Sequence, residues 1–212
     1  MQHQTIPLFS VPLFKTNIGE MDSDEKTWVT GLDFPFQSVG LYPENNVEKI
    51  DQGMHLLHQE KIKKLKAKII ETIAFFTKEV LDLTDEFEIS TSWVNRYKET
   101  ELNPKHSHPN ALLSGVYYVE SEESSSPIIF EKPYLYTNLF HSTIKPTFQN
   151  KNNNQFNTDY YGLKPVTGDL YIFPSWLEHY VPPQPTAKIR YSIAFNAFVK
   201  GKIGVGTEQL DV

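Results

Sequence analysis

Residues 168–173 read GDLYIF, and residues 189–196 read IRYSIAFN. Both stretches are rich in the aromatic and β-branched residues that favour β-strands. Three similar stretches precede them: STSWVNRY at 90–97, LSGVYYV at 113–119 and PIIF at 127–130. Because these stretches are short, are separated by turn-forming residues and have no helical pattern between them, they predict a mainly β fold of the sandwich or jelly-roll type.

A helical pattern lies upstream of the strands. Apolar residues recur every three or four positions from Ile62 to Val80, with lysines between them. This spacing places the apolar side chains on one face of a long helix, predicted over about residues 58–82. We expect this face to pack on the outside of a sheet and to support it, while the lysines face solvent.

The whole chain, residues 1–212, is predicted to form a single domain. Residues 1–87 form an N-terminal segment that contains the supporting helix, residues 88–199 form the jelly-roll core, and residues 200–212 form a tail. The segment 131–162 interrupts the strand pattern and is predicted to be a long surface loop, either a lid or a passive insertion.

Composition limits the chemistry that the chain can perform. The chain contains no cysteine, so any metal would be held by histidine, carboxylate or water. The net charge is −6 without a clustered basic face, which argues against nucleic acid as a partner. No apolar run is long enough to cross a bilayer, and the N-terminus lacks the features of a signal peptide. A cytoplasmic protein without a membrane partner is therefore expected. The acidic cluster of Asp22, Asp24 and Glu25 is predicted to be solvated surface.

Three of the seven histidines stand in positions that suit a metal site. His106 and His108 are two residues apart, so in an extended strand their side chains point to the same side. His179 directly follows the strand predicted to end at Phe173. Histidines at such positions also occur as ordinary structural residues, and the spacing alone leaves both interpretations open. The remaining histidines, predicted to be outside the site, are His3, His55, His58 and His141.

An arginine stands within the last strand pattern. Arg190, Ser192 and Ala194 share one face of this strand, and the bulky apolar residues between them share the other. An arginine in such a strand needs a partner, because an unpaired buried charge is costly. A bound carboxylate would provide one, since a guanidinium grips it with two parallel hydrogen bonds. An internal salt bridge to Asp169 or Glu178 is the alternative.

Taken together, these segments resemble one known family. HSHPN at 106–110, LSGVYYV at 113–119, GDLYIFPSWLEH at 168–179 and RYSIAFN at 190–196 resemble the 2-oxoglutarate-Fe(II) oxygenases of bacteria and their phages, which are similar to prolyl 4-hydroxylases. The resemblance covers roughly residues 90–198. It implies a double-stranded β-helix, a cupin-like jelly roll. It also implies a hydroxylase-type enzyme that uses Fe(II), 2-oxoglutarate and O2 to oxidise a C–H bond.

The resemblance also implies roles for individual residues. In this family an H-x-D pair and a distal histidine hold the iron; His106 matches the first histidine and His179 the distal one. Arg190 matches the arginine that binds the C5 carboxylate of 2-oxoglutarate, and Ser192 completes an R-x-S arrangement at the same carboxylate. The residues that resemble cosubstrate-binding tyrosines are Tyr97 and Tyr118.

The chain departs from the family at His108, where relatives have aspartate. Either His106, His108 and His179 form a three-histidine site, which raises the charge of the site by one unit, or His108 stands outside the ligand set. We favour the three-histidine site. Glu178 is not expected to replace the carboxylate, because neighbouring strand residues point to opposite faces.

Two other functions fit part of the pattern. A non-catalytic jelly-roll binding module would use aromatic residues such as Trp93, Trp176 and Tyr180 as its contact surface, and would need neither iron nor Arg190. A cupin-type dioxygenase would use the three histidines without 2-oxoglutarate. The sequence does not identify the substrate; a protein side chain or a small molecule is favoured, and an exposed sheet edge would allow a homodimer.

Overall fold

Strands make up most of the described chain. The computed structural model describes residues 4, 10–32, 55–133, 158–204 and 206–211. The strands are β1 (Phe14–Asn17), β2 (Glu86–Tyr97), β3 (Asn103–His106), β4 (Leu113–Glu120), β5 (Ile128–Glu131), β6 (Tyr160–Leu163), β7 (Asp169–Pro174), β8 (His179–Val181), β9 (Arg190–Lys200), β10 (Lys202–Ile203) and β11 (Leu210–Asp211). The α-helices are α1 (Ser23–Thr30) and α2 (Lys63–Phe75). Short 3₁₀ turns occupy Leu56–His58, Glu60–Ile62 and Gly206–Glu208, and a π-helical turn occupies Phe76–Val80.

The longer strands form two sheets. One has five strands in the order β1-β7-β4-β9-β2, and the other has four in the order β3-β8-β5-β6. All of these strand pairs are antiparallel. Strands that follow one another in the chain mostly lie in different sheets, as in a jelly roll. The predicted mainly β fold with a jelly-roll core is confirmed.

Alternation along each strand creates two separate cores. In β4, Tyr117 and Val119 point outward, whereas Val116 and Tyr118 point between the sheets. In β9, Ile193 and Phe195 join the outer core, as predicted, while Arg190 and Ser192 line the space between the sheets. The period of two along a strand therefore places the apolar residues under a helix and the polar residues in a cavity.

The predicted supporting helix lies on the outer face of the five-stranded sheet. Its described form is segmented, with α2 preceded by two 3₁₀ turns and followed by the π-helical turn. The apolar positions of the sequence pattern are buried, apart from Val80, which is 51% exposed at the end of the π-helical turn. Ser92 of β2 also ties this region to the sheet, because its hydroxyl accepts a hydrogen bond from the Leu57 amide at 2.7 Å.

The acidic cluster upstream of α2 differs from the sequence expectation. Glu25 is buried, and its carboxylate accepts hydrogen bonds from the backbone amides of Lys64 and Leu65 at the first turn of α2. Asp22 caps α1 through the Asp24 amide and binds the Lys64 ammonium at 2.6 Å. The unpaired amides at a helix start provide the physical reason, since they attract a carboxylate. Within this cluster only Asp24 is an exposed surface residue.

Several expectations fall outside the described residues. The predicted loop 131–162 lies mostly there, although its ends belong to β5 and β6, which pair with each other. His3 and His141 are also outside. Within the described part of the chain, no helix is long and apolar enough to cross a membrane.

Gly115 is a position where any side chain would collide with the outer core. A Cβ atom there would lie 2.2 Å from Cζ of Phe195, whose ring is fully buried. We expect Gly115→Ala to lower the free energy of unfolding by about 1–3 kcal/mol, the usual cost of overpacking. Urea denaturation of the purified variant measures this change.

Gly162→Ala is the matched control, because the nearest atoms to its Cβ would be 3.9 Å away. This variant should stay within about 0.5 kcal/mol of the wild type. Equal losses in the two variants would contradict the close packing of Phe195 on Gly115.

Candidate metal centre

The three candidate histidines come together at one end of the four-stranded sheet. His106 ends β3 and lies directly opposite His179, the first residue of β8. His108 lies in the loop after β3, where its backbone amide donates a hydrogen bond to the Ser175 carbonyl oxygen at 2.9 Å. Each residue offers one ring nitrogen, and these nitrogens all lie within 4.8 Å of one another. The Nε2 atoms of His108 and His179 are 3.3 Å apart.

Backbone carbonyls orient two of the three rings. Nδ1 of His106 lies 2.7 Å from the Pro104 carbonyl oxygen, and Nδ1 of His179 lies 2.9 Å from the Leu177 carbonyl oxygen. Because a carbonyl only accepts, both Nδ1 atoms donate, and both Nε2 atoms keep a lone pair that faces the cluster. Hydrogen bonds of this kind commonly orient metal-binding histidines. The ring of His108 is held by packing on Trp93, with the ring centroids 5.6 Å apart.

Burial keeps two of these histidines, His108 and His179, neutral. Burial, reinforced by His179 and His106, lowers the pKa of His108 to about 3. Burial also lowers the pKa of His179 to about 4. Neutral imidazoles are the form that binds metal ions, so no proton has to leave either ring at pH 7.

The second part of the site is the buried guanidinium of Arg190, which is 2% exposed. Its Nη1 donates a hydrogen bond to the Ser126 carbonyl oxygen at 2.7 Å. Its Cζ lies 4.5 Å from the centre of the Tyr97 ring and 5.6 Å from that of Tyr118. Nε of Arg190 and the hydroxyl of Tyr118 are both buried without a hydrogen-bond partner. Two orphaned polar groups side by side indicate a binding position for a ligand.

No carboxylate neutralises Arg190 within the described part of the chain. Asp169 instead binds Lys15 at 3.2 Å and accepts a hydrogen bond from the Tyr171 hydroxyl. Glu178 is exposed and lies 3.6 Å from Lys105. The internal salt bridge that the sequence left open is therefore absent among these residues. A buried guanidinium of this kind is stable when an incoming anion supplies the countercharge.

One cavity joins the two parts, and it has about 420 Å³ of empty space including its open mouth. The residues singled out from the sequence all line it: His106, His108, His179, Tyr97, Tyr118, Arg190 and Ser192. Burial raises the pKa of Tyr97 and of Tyr118, so both hydroxyls stay protonated and able to donate.

Other cavity residues were not anticipated as part of the site. Trp93 and Asn95 lie on the same face of β2 as Tyr97, and Asn103 bonds the Tyr97 hydroxyl. The alternation along β2 would have pointed to Trp93 and Asn95, because both are an even number of residues from Tyr97. Of the aromatic residues suggested as an outer contact surface, Trp93 lines this cavity and Trp176 is 57% exposed.

The residues fit a divalent metal ion with a dicarboxylate cosubstrate. Three imidazoles with converging nitrogens suit iron, and nitrogen ligands in the absence of cysteine agree with this choice. The orphaned Arg190 Nε and Tyr118 hydroxyl suit a carboxylate, which accepts from both. The two groups would occupy one cavity, so a single ligand can reach both.

Comparisons with known proteins agree with this geometry. A family model described as "Putative 2OG-Fe(II) oxygenase" matches residues 91–196. The non-haem monooxygenase ThoJ, solved as a nickel complex, is 6% identical with a TM-score of 0.57 over 89% of this chain and 74% of ThoJ. HygX from Streptomyces hygroscopicus, solved with nickel and 2-oxoglutarate, is 10% identical with a TM-score of 0.51 over 88% of this chain and 81% of HygX.

A third solved structure is an oxidoreductase of the 2OG-Fe(II) oxygenase family from Burkholderia pseudomallei. It is 14% identical with a TM-score of 0.42, over 71% of this chain and 55% of that protein. The chain thus spans about half the length of this relative. At these identities the likeness to ThoJ and HygX shows the fold. No curated protein matches the chain.

The lowered pKa values of His108 and His179 predict acid sensitivity of the metal-free protein. Above pH 6.5, the ordinary value, neither the folded nor the unfolded form protonates these rings. Below pH 6.5, these two histidines bind protons in the unfolded chain but stay neutral in the folded protein. The free energy of unfolding therefore falls as the pH drops from about 6.5 to about 4. Thermal melts in chelator at pH 7.5, 6 and 5 measure the fall.

His108→Gln removes one of the two titrating rings and is the matched comparison. Its melting temperature should fall less steeply over the same pH range. An identical slope in both proteins would show that His108 does not resist protonation in the folded state.

Proposed function

The chain belongs to the 2OG-Fe(II) oxygenase family, and from this premise we propose that it couples decarboxylation of 2-oxoglutarate to oxidation of a C–H bond in its substrate. The enzyme is an oxidoreductase, and its cofactors are Fe(II), 2-oxoglutarate and O2. Hydroxylation is the reaction that we assign. HygX, which shares the fold, is solved with nickel and 2-oxoglutarate bound, in agreement with a metal and 2-oxoglutarate as the cofactors.

A single observation carries the proposal. A buried arginine without a described carboxylate partner shares a cavity with three converging histidines. Two tyrosine rings flank the guanidinium, and one tyrosine hydroxyl beside it lacks a partner. The histidines alone would suit many metal enzymes. The arginine adds a requirement for an acidic ligand that reaches from the metal, and 2-oxoglutarate, with a carboxylate at each end, meets it.

We assign the metal to His106, His108 and His179. The converging nitrogens and the neutral state of the two buried rings support three ligands. In the alternative assignment, His108 stands beside a two-histidine site. Its Nε2 lies 3.3 Å from the Nε2 of His179, so a metal bound by His179 would also be within reach of His108.

The roles of the other residues follow from their positions. Bound Fe(II) with 2-oxoglutarate supplies the activation of O2. Arg190 binds the far carboxylate of the cosubstrate, Tyr118 donates a hydrogen bond to it, and Ser192 and Tyr97 complete its pocket. Holding the cosubstrate at this end orients its other end before oxygen arrives, which lowers the entropic part of the barrier. The apolar wall, which includes Val116, Ile128 and Phe173, excludes water from the reaction.

The identity of the substrate, the organisation of the domain and the partners stay predictions. We favour a protein side chain or a small molecule as substrate. We also keep the single domain over residues 1–212, with a core at 88–199. A homodimer would form through an exposed sheet edge, and β6 offers one, with Tyr160 and Tyr161 more than half exposed.

The two rival functions make different demands on Arg190. A non-catalytic binding module has no use for a buried, unneutralised arginine or for converging histidines. A cupin-type dioxygenase that uses only the metal and O2 needs the histidines but not Arg190. Binding of 2-oxoglutarate therefore separates the proposed function from both rivals, and binding of iron separates the two rivals from each other.

Anaerobic titration of 2-oxoglutarate into Fe(II)-loaded protein tests the proposal. We expect a visible charge-transfer band in the wild type, which reports direct contact between the cosubstrate and iron. Arg190→Met should weaken 2-oxoglutarate binding by about tenfold to a hundredfold, because charge-assisted hydrogen bonds contribute about 1.5–3 kcal/mol each. Arg96→Met, which changes the only other arginine of the chain, is the control and should bind as the wild type does.

Each outcome of this titration points to one function. Absence of a band in protein that binds iron would reject 2-oxoglutarate and favour the cupin-type dioxygenase. Absence of iron binding would leave the binding module. A band that survives Arg190→Met with unchanged affinity would show that the carboxylate binds elsewhere.

Metal-induced stabilisation tests the ligand set. Nickel should raise the melting temperature of the wild type, because a ligand that binds only the folded form stabilises it. His106→Ala, His108→Ala and His179→Ala should each weaken nickel binding by at least about tenfold, as loss of a direct ligand does. His58→Ala is the control, because His58 lies outside the cavity. Wild-type affinity in His108→Ala alone would favour the two-histidine site.

A further inference from the structure

The cavity carries an unusual balance of charge. Among the described residues that line it, Arg190 is the one with a permanent charge, and none is a carboxylate. The histidines are neutral when they bind a metal. Trp93, Asn95, Asn103 and Ala194 complete the polar and apolar walls without adding charge. As far as the described residues go, negative charge in this cavity therefore comes with a ligand.

Three carboxylates near the histidines, Glu131, Glu178 and Asp169, have other partners and do not line the cavity. Glu131 and Glu178 lie one residue from Phe130 and His179, on the opposite face of the sheet. Both approach the Lys105 ammonium there, at 3.1 Å and 3.6 Å. Asp169 is engaged by Lys15 and by the Tyr171 hydroxyl. None of these carboxylates is available to neutralise a metal ion at the histidines.

The substitution of His108 for aspartate thus changes the charge of the loaded site. With an aspartate ligand, the charges of Fe(II), 2-oxoglutarate, Arg190 and the aspartate sum to zero. With His108, the same sum is one positive charge. Because a partly buried site screens charge less than water does, a difference of one unit charge is large enough to select a ligand.

Building on the function proposed above, we infer that the substrate is an anion, and that a carboxylate or similar negative group on it supplies the charge that aspartate supplies in relatives. The anionic group enters the cavity on the side of His108 and Trp93. There Asn95 offers a neutral amide that can donate to it. A neutral substrate of the same shape would leave the positive charge unbalanced in a partly buried cavity, which is costly.

Acetate and acetamide form a matched pair of probes, because they have nearly the same shape and differ in charge. Each would be titrated into protein loaded with Co(II) and 2-oxoglutarate, and binding would be followed by the visible spectrum of Co(II). The wild type should bind acetate at least about tenfold more tightly than acetamide. His108→Asp should reduce this preference by about tenfold, whereas His108→Asn, equal in shape but neutral, should keep it.

A second pair of variants leaves the metal ligands intact. Ala194 lines the cavity, so Ala194→Asp supplies the missing negative charge and Ala194→Asn supplies the same shape without it. In Ala194→Asp, the preference for acetate over acetamide should fall by about tenfold, whereas Ala194→Asn should keep the preference of the wild type. This pair tests whether charge causes the preference for acetate if His108→Asp does not fold.

The outcomes separate this inference from the function on which it rests. Failure of the wild type to bind 2-oxoglutarate would reject the proposed function before any probe is added. Normal 2-oxoglutarate binding with equal affinity for acetate and acetamide would overturn the anionic substrate alone. Equal preferences in the Asp and Asn variants would also overturn the anionic substrate, because the charge of the cavity would then not be the cause of the preference for acetate.

Discussion

The packing of α2 on the five-stranded sheet is the constraint on which the site depends. It buries the apolar face of β9, including Ile193 and Phe195, and so forces the alternate residues Arg190 and Ser192 into the space between the sheets. A shift of one residue in the register would exchange these two sets. Close contact between Phe195 and Gly115 leaves no room for such a shift. A hydrophobic interaction on the outside of the sheet thereby fixes the position of a charge on the inside.

The metal centre depends on a second constraint, the pairing of β3 with β8. This pairing sets His106 opposite His179, although they are far apart in the chain, and each ring is oriented by a carbonyl two residues before it. His108 is held differently, by the bond from its amide to Ser175 and by the ring of Trp93. Two of the three histidines proposed as ligands are therefore oriented by hydrogen bonds, and the third by packing. Orientation of this kind lets a metal bind without rearrangement of the strands.

Much of the fold and of the candidate site could be predicted from the sequence, because both follow from periodicity. Alternation along 189–196 separated Arg190 from Phe195, and the spacing of Ile62 to Phe76 indicated the supporting helix. The role of Glu25 could not be predicted, since it caps a helix about forty residues away, and an acidic residue that follows two others is typical of solvated surface. The missing partner of Arg190 could not be predicted either. Asp169 and Glu178 were both plausible, and only their contacts in the structure exclude them, because Asp169 binds Lys15 and Glu178 lies beside Lys105.

The exclusion of those two carboxylates gives the cavity its chemical character. An enzyme that holds Fe(II) with a carboxylate and two histidines neutralises part of the metal charge itself, and its substrate can then be neutral. Within the described part of this chain, Lys105 and Lys15 engage the nearby carboxylates, and the cavity presents imidazoles instead. The histidine at position 108 is thus more than an exchange of one ligand for another. In the function we propose, the charge of the metal would be balanced by the molecules that bind in the cavity rather than by the protein, and position 108 would thereby link the metal centre to the choice of substrate.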